Sequence, residues 1–192
     1  MRTKAHSLEG IVVEEHWRSL YFAGIGFAAG FLGSSVKLVS NIIGASVLGV
    51  DPLRLLRVYG TIGEGPNALL PTNASSLLDT LLMHLIVGSA LGSVFMLVAG
   101  TRSRSGRFFP FLAQGIGFGL AIWIINFYLL LSWLQPLING EAYIVKTIPW
   151  WIAAGSHALY GLTIAIVCFP FRDDVGARFP PEEVILNAQP ED

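Results

Sequence analysis

Charged side chains are scarce in this chain of 192 residues. Asp, Glu, Lys and Arg together make up 13% of it, and the formal net charge is −1. So low a charge content argues against an ordinary soluble domain, and a hydrophobic content of 53% excludes a disordered one. Because there is no basic excess, we expect no nucleic-acid partner.

Cysteine is almost absent, since Cys168 stands alone. A single thiol excludes an internal disulfide and a thiolate metal cluster. The sequence also lacks the Gly-x-Ser-x-Gly pattern of a nucleophilic serine, a cysteine close to a histidine, and a pair of carboxylates within an apolar stretch. We therefore predict that the protein is not an enzyme and has neither a catalytic residue nor a metal site.

Long apolar stretches are abundant instead, and the mean hydropathy is +0.62. About 20 apolar residues in a helix are enough to cross the ~30 Å hydrocarbon layer of a bilayer. Four stretches meet this requirement, at about 17–43, 77–99, 109–134 and 149–171. They predict an all-α integral membrane protein with four transmembrane helices, surrounded by the lipid bilayer.

The connection between the first two stretches is the longest in the chain. Asp51 followed by Pro52 is typical of a helix start, and the leucines after them give this helix an apolar face. The pattern predicts a short interfacial helix in the first outer loop. Gly60 and Gly63 then predict an irregular loop after it.

Polar segments flank the membrane domain, a lead at 1–16 and a tail at 172–192. With four spans, both termini and the loop 101–107 share one side of the membrane. That side carries most of the basic residues, namely Arg2, Lys4, Arg18, Arg102, Arg104, Arg107, Arg172 and Arg178. Since cytoplasmic loops carry the excess of Lys and Arg, we predict that lead and tail are cytoplasmic and that the protein is multi-pass.

Lys37 is the one basic residue well inside an apolar stretch. Counted from Trp17, it lies roughly 30 Å along the first helix at the rise of an α-helix. We predict that its ammonium group reaches the far membrane interface, as long basic side chains do. The alternative is a role in binding an ion or a substrate.

The two halves of the chain resemble each other. Ala-Gly-Ile-Gly-Phe at 23–27 recurs as Gln-Gly-Ile-Gly-Phe at 114–118, and His84-x-x-x-Gly88 recurs as His157-x-x-x-Gly161. These repeats predict two similar helical hairpins related by an axis along the membrane normal. The two histidines would then lie at equal depth near that axis.

Small residues at four-residue spacing occur in every stretch. In a bilayer, close approach of helix backbones through such residues supplies much of the packing between helices. We therefore predict helix packing at the following glycines: Gly26, Gly30, Gly88, Gly92, Gly115, Gly119 and Gly161.

His84 and His157 permit three interpretations. An imidazole in hydrocarbon requires a hydrogen-bond partner, and a hydroxyl such as that of Thr80 or a backbone carbonyl supplies one. Alternatively, both rings ligate one haem b iron, with Gly88 and Gly161 leaving room beside the ring plane. A third interpretation is a polar or proton pathway that includes Asp79. We favour packing, with no cofactor.

Several segments resemble the YagU-like bacterial inner-membrane proteins. They are AAGFLGSSVK in the first stretch, Met-His at the start of the second, and GSHALYG in the fourth. The resemblance covers roughly residues 20–171. It implies four spans in a bacterial inner membrane, and it transfers no catalytic residue.

Together these features predict a non-catalytic integral membrane protein. Its small-residue faces and polar tail favour a small accessory or structural subunit that packs against other subunits of a larger membrane complex. The alternatives are a bis-histidine haem b electron-transfer protein and an oligomeric transporter or channel.

Overall fold

The computed structural model describes residues 3–70, 74–102 and 107–172, and these ranges are helical with no strand. Four helices are long and apolar enough to cross a membrane, as predicted. The spans lie in α1 (Thr3–Val47), in α3 (Ala74–Arg102), in α4 (Phe108–Ile124) with the helical segments that continue it to Asn139, and in α7 (Trp150–Cys168). The tail from residue 173 onward lies outside the described residues.

The long helices extend beyond the predicted spans at several ends. Helix α1 begins at Thr3, so most of the polar lead is continuous with the first span. Helix α4 is followed by a π-helix, Ile125–Leu131, and the hydroxyl of Ser132, the next residue, donates to the Phe127 carbonyl at 2.6 Å. A π-helix widens the turn, and such segments occur often at functional sites.

The packing order of the long helices is α3, α1, α7, α4. Helix α1 packs extensively on α3 and also on α7, and α4 packs on α7. The backbones of α3 and α4 make little close contact, but their side chains meet where Phe95 of α3 packs on Phe111 and Phe118 of α4. Beyond these rings, where α4 passes into the π-helix, a gap remains between α3 and α4 on one side of the bundle.

Glycines form the two closest helix interfaces. Gly26 and Gly30 of α1 lie against the backbone of α3 at Gly92 and Gly88. In the same way, Gly115 and Gly119 of α4 lie against α7 near Gly161. A Cβ atom added at any of these seven positions would come within 3.0 Å of a neighbour, so a larger residue does not fit.

The sequence repeat does not align these glycines with one another. Its register pairs Gly24 with Gly115 and Gly26 with Gly117, but the space around Gly24 and Gly117 is open. The interfaces instead use Gly26 in α1 and Gly115 in α4. Aligning the two halves by their packing glycines therefore requires a shift of two residues relative to the sequence repeat.

Three short helices, here called the cap, cover one end of the bundle: α2 (Arg54–Glu64), α5 (Leu134–Asn139) and α6 (Tyr143–Thr147). Helix α2 begins at Arg54, and Asp51 accepts a hydrogen bond from the Leu53 amide at 3.0 Å just before it. The predicted irregular loop is wrong, since α2 continues through Gly60 to Glu64 and a 3-10 helix, Gly65–Leu69, follows. Gly60 lies against Thr80 and Ser76, where only hydrogen in place of a side chain permits the close approach to α3.

The buried hydrophobic residues form two clusters. The larger lies among the four long helices and is rich in aromatic residues, including Phe22, Phe95 and Phe111. The smaller lies where the cap meets the bundle and includes Val58, Phe127 and Ile144. Between these clusters lies the site described next.

Candidate functional site

A cavity of about 320 Å³ lies between the long helices and the cap. All four long helices contribute to its lining, together with the π-helix and the three cap helices. The lining is mostly apolar, and its polar members converge from α1, α3, α7 and the cap. Concave, largely apolar cavities with a few polar groups are the usual form of a small-molecule site.

Lys37 lies in this cavity rather than at the membrane interface. Lys37 is only 8% exposed, and its Nζ donates a hydrogen bond to His157 Nε2 at 3.2 Å. The predicted interfacial position is wrong because Lys37 follows Gly30 by seven residues. That spacing places it on the same helix face as the glycines that pack against α3.

His157 is held by its other ring nitrogen. Its Nδ1 lies 2.7 Å from the Ala153 carbonyl oxygen, one turn earlier in α7. A carbonyl only accepts hydrogen bonds, so Nδ1 carries the proton and Nε2 presents its lone pair to Lys37. Helix α7 thus orients the imidazole as an acceptor facing the lysine.

His84 approaches the cavity from α3. Its Nε2 donates to the Ser34 carbonyl of α1 at 3.2 Å, so its partner is a backbone carbonyl and not the Thr80 hydroxyl. The ring stacks on Tyr59 of α2, with centroids 5.7 Å apart and planes 9° from parallel. Burial raises the pKa of the Tyr59 phenol, which therefore stays protonated at neutral pH.

Tyr59 also joins the lysine to the cap. The Lys37 Nζ lies 5.9 Å from the centroid of the Tyr59 ring, a distance at which an ammonium is attracted to the ring face. Residues 37, 59, 84 and 157 therefore form one polar cluster around the cavity. No carboxylate pairs with Lys37 among the residues that the structure describes.

A second polar network fastens the cap. The buried Gln135 of α5 donates to the Thr61 hydroxyl at 2.9 Å and accepts from the Ile144 amide at 3.1 Å. Asn139 donates to the Thr61 carbonyl at 2.7 Å. One buried amide side chain thus connects α2, α5 and α6 across one end of the cavity.

The structure does not bring Asp79 to the histidines. Asp79 is exposed on α3 and does not line the cavity, so the residues predicted for a proton pathway are apart. Within the described ranges, no group of three His, Cys, Asp or Glu side chains is placed to hold a metal ion.

The two histidines do line one cavity, as a shared haem would require. However, Nε2 of His84 donates to Ser34 and Nε2 of His157 accepts from Lys37. An iron bound at these nitrogens would have to displace both partners. The present arrangement of the rings therefore does not fit axial haem ligation.

Sequence reasoning gave Lys37 a binding role only as the alternative, and it missed Tyr59 and Gln135. The signal for Lys37 was present, because residues 26, 30, 34 and 37 recur at helical spacing on one face. Nothing in the sequence pairs Tyr59 with His84 or Gln135 with Thr61, since these contacts join segments far apart in the chain.

The fold and site together define a multi-pass helical membrane protein with an internal, mostly apolar cavity that contains a few polar groups. No model of a known family, no curated protein and no solved structure matches the chain.

Proposed function

We propose that this chain is a non-catalytic membrane protein that binds a small, largely apolar molecule in the cavity between its long helices and its cap. One observation supports this function above the others. Lys37, a basic residue within a membrane span, is buried in an apolar cavity with a neutral imidazole as its hydrogen-bond acceptor.

Such a lysine is costly for the protein itself. A buried ammonium loses its hydration, and a histidine returns less of that free energy than a carboxylate does. Basic residues inside membrane spans are rare and mark substrate or ligand sites. A ligand that pairs with the amine accounts for its position, whereas packing alone does not.

The role of accessory subunit loses its main argument. The small-residue faces that favoured a partner protein are occupied within the chain, by α1 against α3 and by α4 against α7. Membership of a larger membrane complex therefore stays a prediction from sequence, as do the YagU-like family and the oligomeric transporter.

We also infer that the protein lies in a bacterial inner membrane with both termini cytoplasmic and with the cap, including an interfacial α2, on the outer side. The uneven distribution of Lys and Arg supports this orientation. A cysteine replacing Asn67 should react with an impermeant reagent in intact cells, and one replacing Ser103 should not. The opposite labelling pattern would reverse the orientation.

The ligand can be sought directly. Protein purified in mild detergent should retain a small organic molecule, detectable by native mass spectrometry and identifiable after solvent extraction. Ile148 lines the cavity from the connection between α6 and α7, so the Ile148→Trp variant fills the cavity and should lose the molecule. Ile166→Trp, on the exposed side of α7, should keep it. Equal retention by both variants would place the molecule outside the cavity and refute the function.

A visible absorption spectrum of the same sample tests the haem alternative. We expect no Soret band. A Soret band that disappears in both His84→Ala and His157→Ala would replace our proposal with the electron-transfer function.

A further inference from the structure

We propose that the ligand is a single-chain amphiphile with a carboxylate head, bound by Lys37, and that it enters from the bilayer through the gap between α3 and α4. This inference rests on the proposed function, because it names the ligand class of the same cavity. The inference follows from four properties of the cavity: its charge, its hydrogen-bond donors, its apolar lining residues and the position of its opening.

The charge of the site requires an anion. Lys37 contributes one positive charge at the cavity, and none of the described residues pairs a carboxylate with it. A ligand with one negative charge would neutralise the buried amine. A phosphate monoester, with close to two negative charges, would leave a buried excess that no second basic residue of the cavity offsets.

The donors available for the head are few. An ammonium has three N–H groups, and His157 accepts only one of those of Lys37. Asn126 of the π-helix also lines the cavity, and no described residue forms a hydrogen bond with its amide. Two carboxylate oxygens can accept from these groups, while both histidines keep their present bonds to backbone carbonyls.

The walls suit one hydrocarbon chain. Away from the polar cluster, aliphatic residues such as Leu91, Ile122 and Ile148 surround the cavity. Small-molecule sites measure roughly 300–1,000 Å³. A cavity of about 320 Å³ lies at the lower limit of that range, which favours a single chain over a two-chain lipid.

The opening of the cavity faces sideways. Helices α3 and α4 meet through the rings of Phe95, Phe111 and Phe118. Beyond these rings their backbones make little close contact, and each side of the gap there has lining residues that are also exposed on the outer surface. These residues are Met83 and Val87 on the α3 side and Leu130 and Leu134 on the other. All four are apolar, so the opening is compatible with lipid chains and not with water.

The cap covers one end of the cavity, although its lining residues Ile62 and Ile138 are also exposed on the outer surface. The bonds of Gln135 and Asn139 to Thr61 tie α5 to α2, and the bond from Ile144 to Gln135 adds α6. A molecule that already partitions into the bilayer can therefore reach Lys37 through the side opening without disrupting these bonds.

Binding of three probes, namely palmitate, hexadecanol and phosphatidylglycerol, to the full chain in phosphatidylcholine nanodiscs tests the head group. Palmitate should bind, whereas hexadecanol, which has the same chain without the charge, should bind at least tenfold more weakly. Lys37→Met should weaken palmitate binding at least tenfold, and Lys37→Arg should retain it. Lys146→Met, which removes a basic residue outside the cavity, should leave palmitate binding unchanged.

The outcomes separate the two proposals. Equal binding of palmitate and hexadecanol would overturn the carboxylate assignment and leave the ligand-binding function intact. Preference for the third probe, phosphatidylglycerol, over palmitate would also overturn it. Binding of no probe, together with no retained molecule in the purified protein, would refute the proposed function itself.

The route is tested by narrowing the opening. Val87→Trp places an indole at the gap, and Val94→Trp places one on α3, two turns further along, away from the cavity lining. We expect stopped-flow measurements to show at least fivefold slower palmitate uptake in Val87→Trp and unchanged uptake in Val94→Trp. Equal rates in the two variants would exclude entry between α3 and α4.

Discussion

The two ends of the helical bundle are built differently. At the end near Gly26 and Gly115, the helices approach to backbone contact, and aromatic side chains fill the remaining space. At the other end, past the contacts of Gly119 with the His157 backbone and of Gly88 with Ser34, the helices separate around a cavity that the cap covers. One end of the bundle is closely packed, and the other contains a cavity.

This difference shows how a small membrane protein can hold a cavity without losing its fold. In lipid, helix association depends on van der Waals contact, so close packing at one end must stabilise the whole bundle. The other end is then free to carry groups that lower stability. We therefore expect overpacking at the packed end to lower stability and removal of the buried charge at the cavity end to raise it.

The largest effect should follow from a bulky residue at the packed end. Gly115→Leu would force a side chain into the backbone of Gly161 and the methyl group of Ala165 in α7. We expect it to lower the free energy of unfolding by about 3 kcal/mol, the upper part of the usual range for overpacking. Thermal or denaturant unfolding in detergent measures this change.

The control is two residues away in the same helix. Gly117 has no neighbour within 4 Å, so Gly117→Leu should leave stability unchanged or raise it slightly by removing a helical glycine. A similar loss of stability at both positions would mean that the α4–α7 interface is not where the structure has it.

Much of this packed end could be predicted from the sequence. The four spans follow from length and apolarity, and glycine pairs at four-residue spacing predict close helix approach. The repeated Gly-Ile-Gly letters offer two faces, and the four-residue spacing of Gly26 with Gly30 and of Gly115 with Gly119 indicates which face packs. Gly26 and Gly115 pack, while Gly24 and Gly117 do not.

The cavity end was harder to predict for a physical reason. Depth along a helix follows from counting residues, and it placed Lys37 near an interface. The face of the helix decides whether the side chain meets lipid or protein, and Lys37 lies on the glycine face. Contacts such as Tyr59 with His84 depend on how the cap folds back, which no local pattern encodes.

At the cavity end, Lys37→Met should make the ligand-free protein more stable. The substitution replaces a desolvated amine by an apolar side chain of similar length, and His157 keeps its bond to Ala153. We expect a gain of about 2 kcal/mol at neutral pH, as when other buried charged groups are replaced by hydrophobic residues. Unfolding of delipidated protein in detergent measures it. A clear loss of stability would show that Lys37 serves the fold and would remove the argument for a ligand.

The cap should respond more moderately. Gln135→Leu removes the bonds to Thr61 and Ile144 and leaves their polar groups buried without that partner. We expect a loss of about 1.5 kcal/mol, within the range for unsatisfied buried groups. Hydrogen exchange should rise in α2, α5 and α6 and stay unchanged at Gly26 and Gly92. Faster exchange throughout the bundle would mean that the cap and the packed end unfold as one unit.

The smallest expected effect lies at the boundary between the two ends. Tyr160 of α7 donates its buried hydroxyl to the Gly88 carbonyl of α3 at 2.6 Å, and its ring side chain also lines the cavity. Tyr160→Phe keeps the shape and removes only this hydrogen bond, so we expect a loss of about 1 kcal/mol. Tyr128→Phe, on the exposed side of the π-helix, is the matched control and should be neutral.

If Tyr160→Phe also weakens palmitate binding tenfold, the hydroxyl serves the ligand as well as the fold. Because its proton is already donated to the Gly88 carbonyl, we expect palmitate binding to stay within a factor of three.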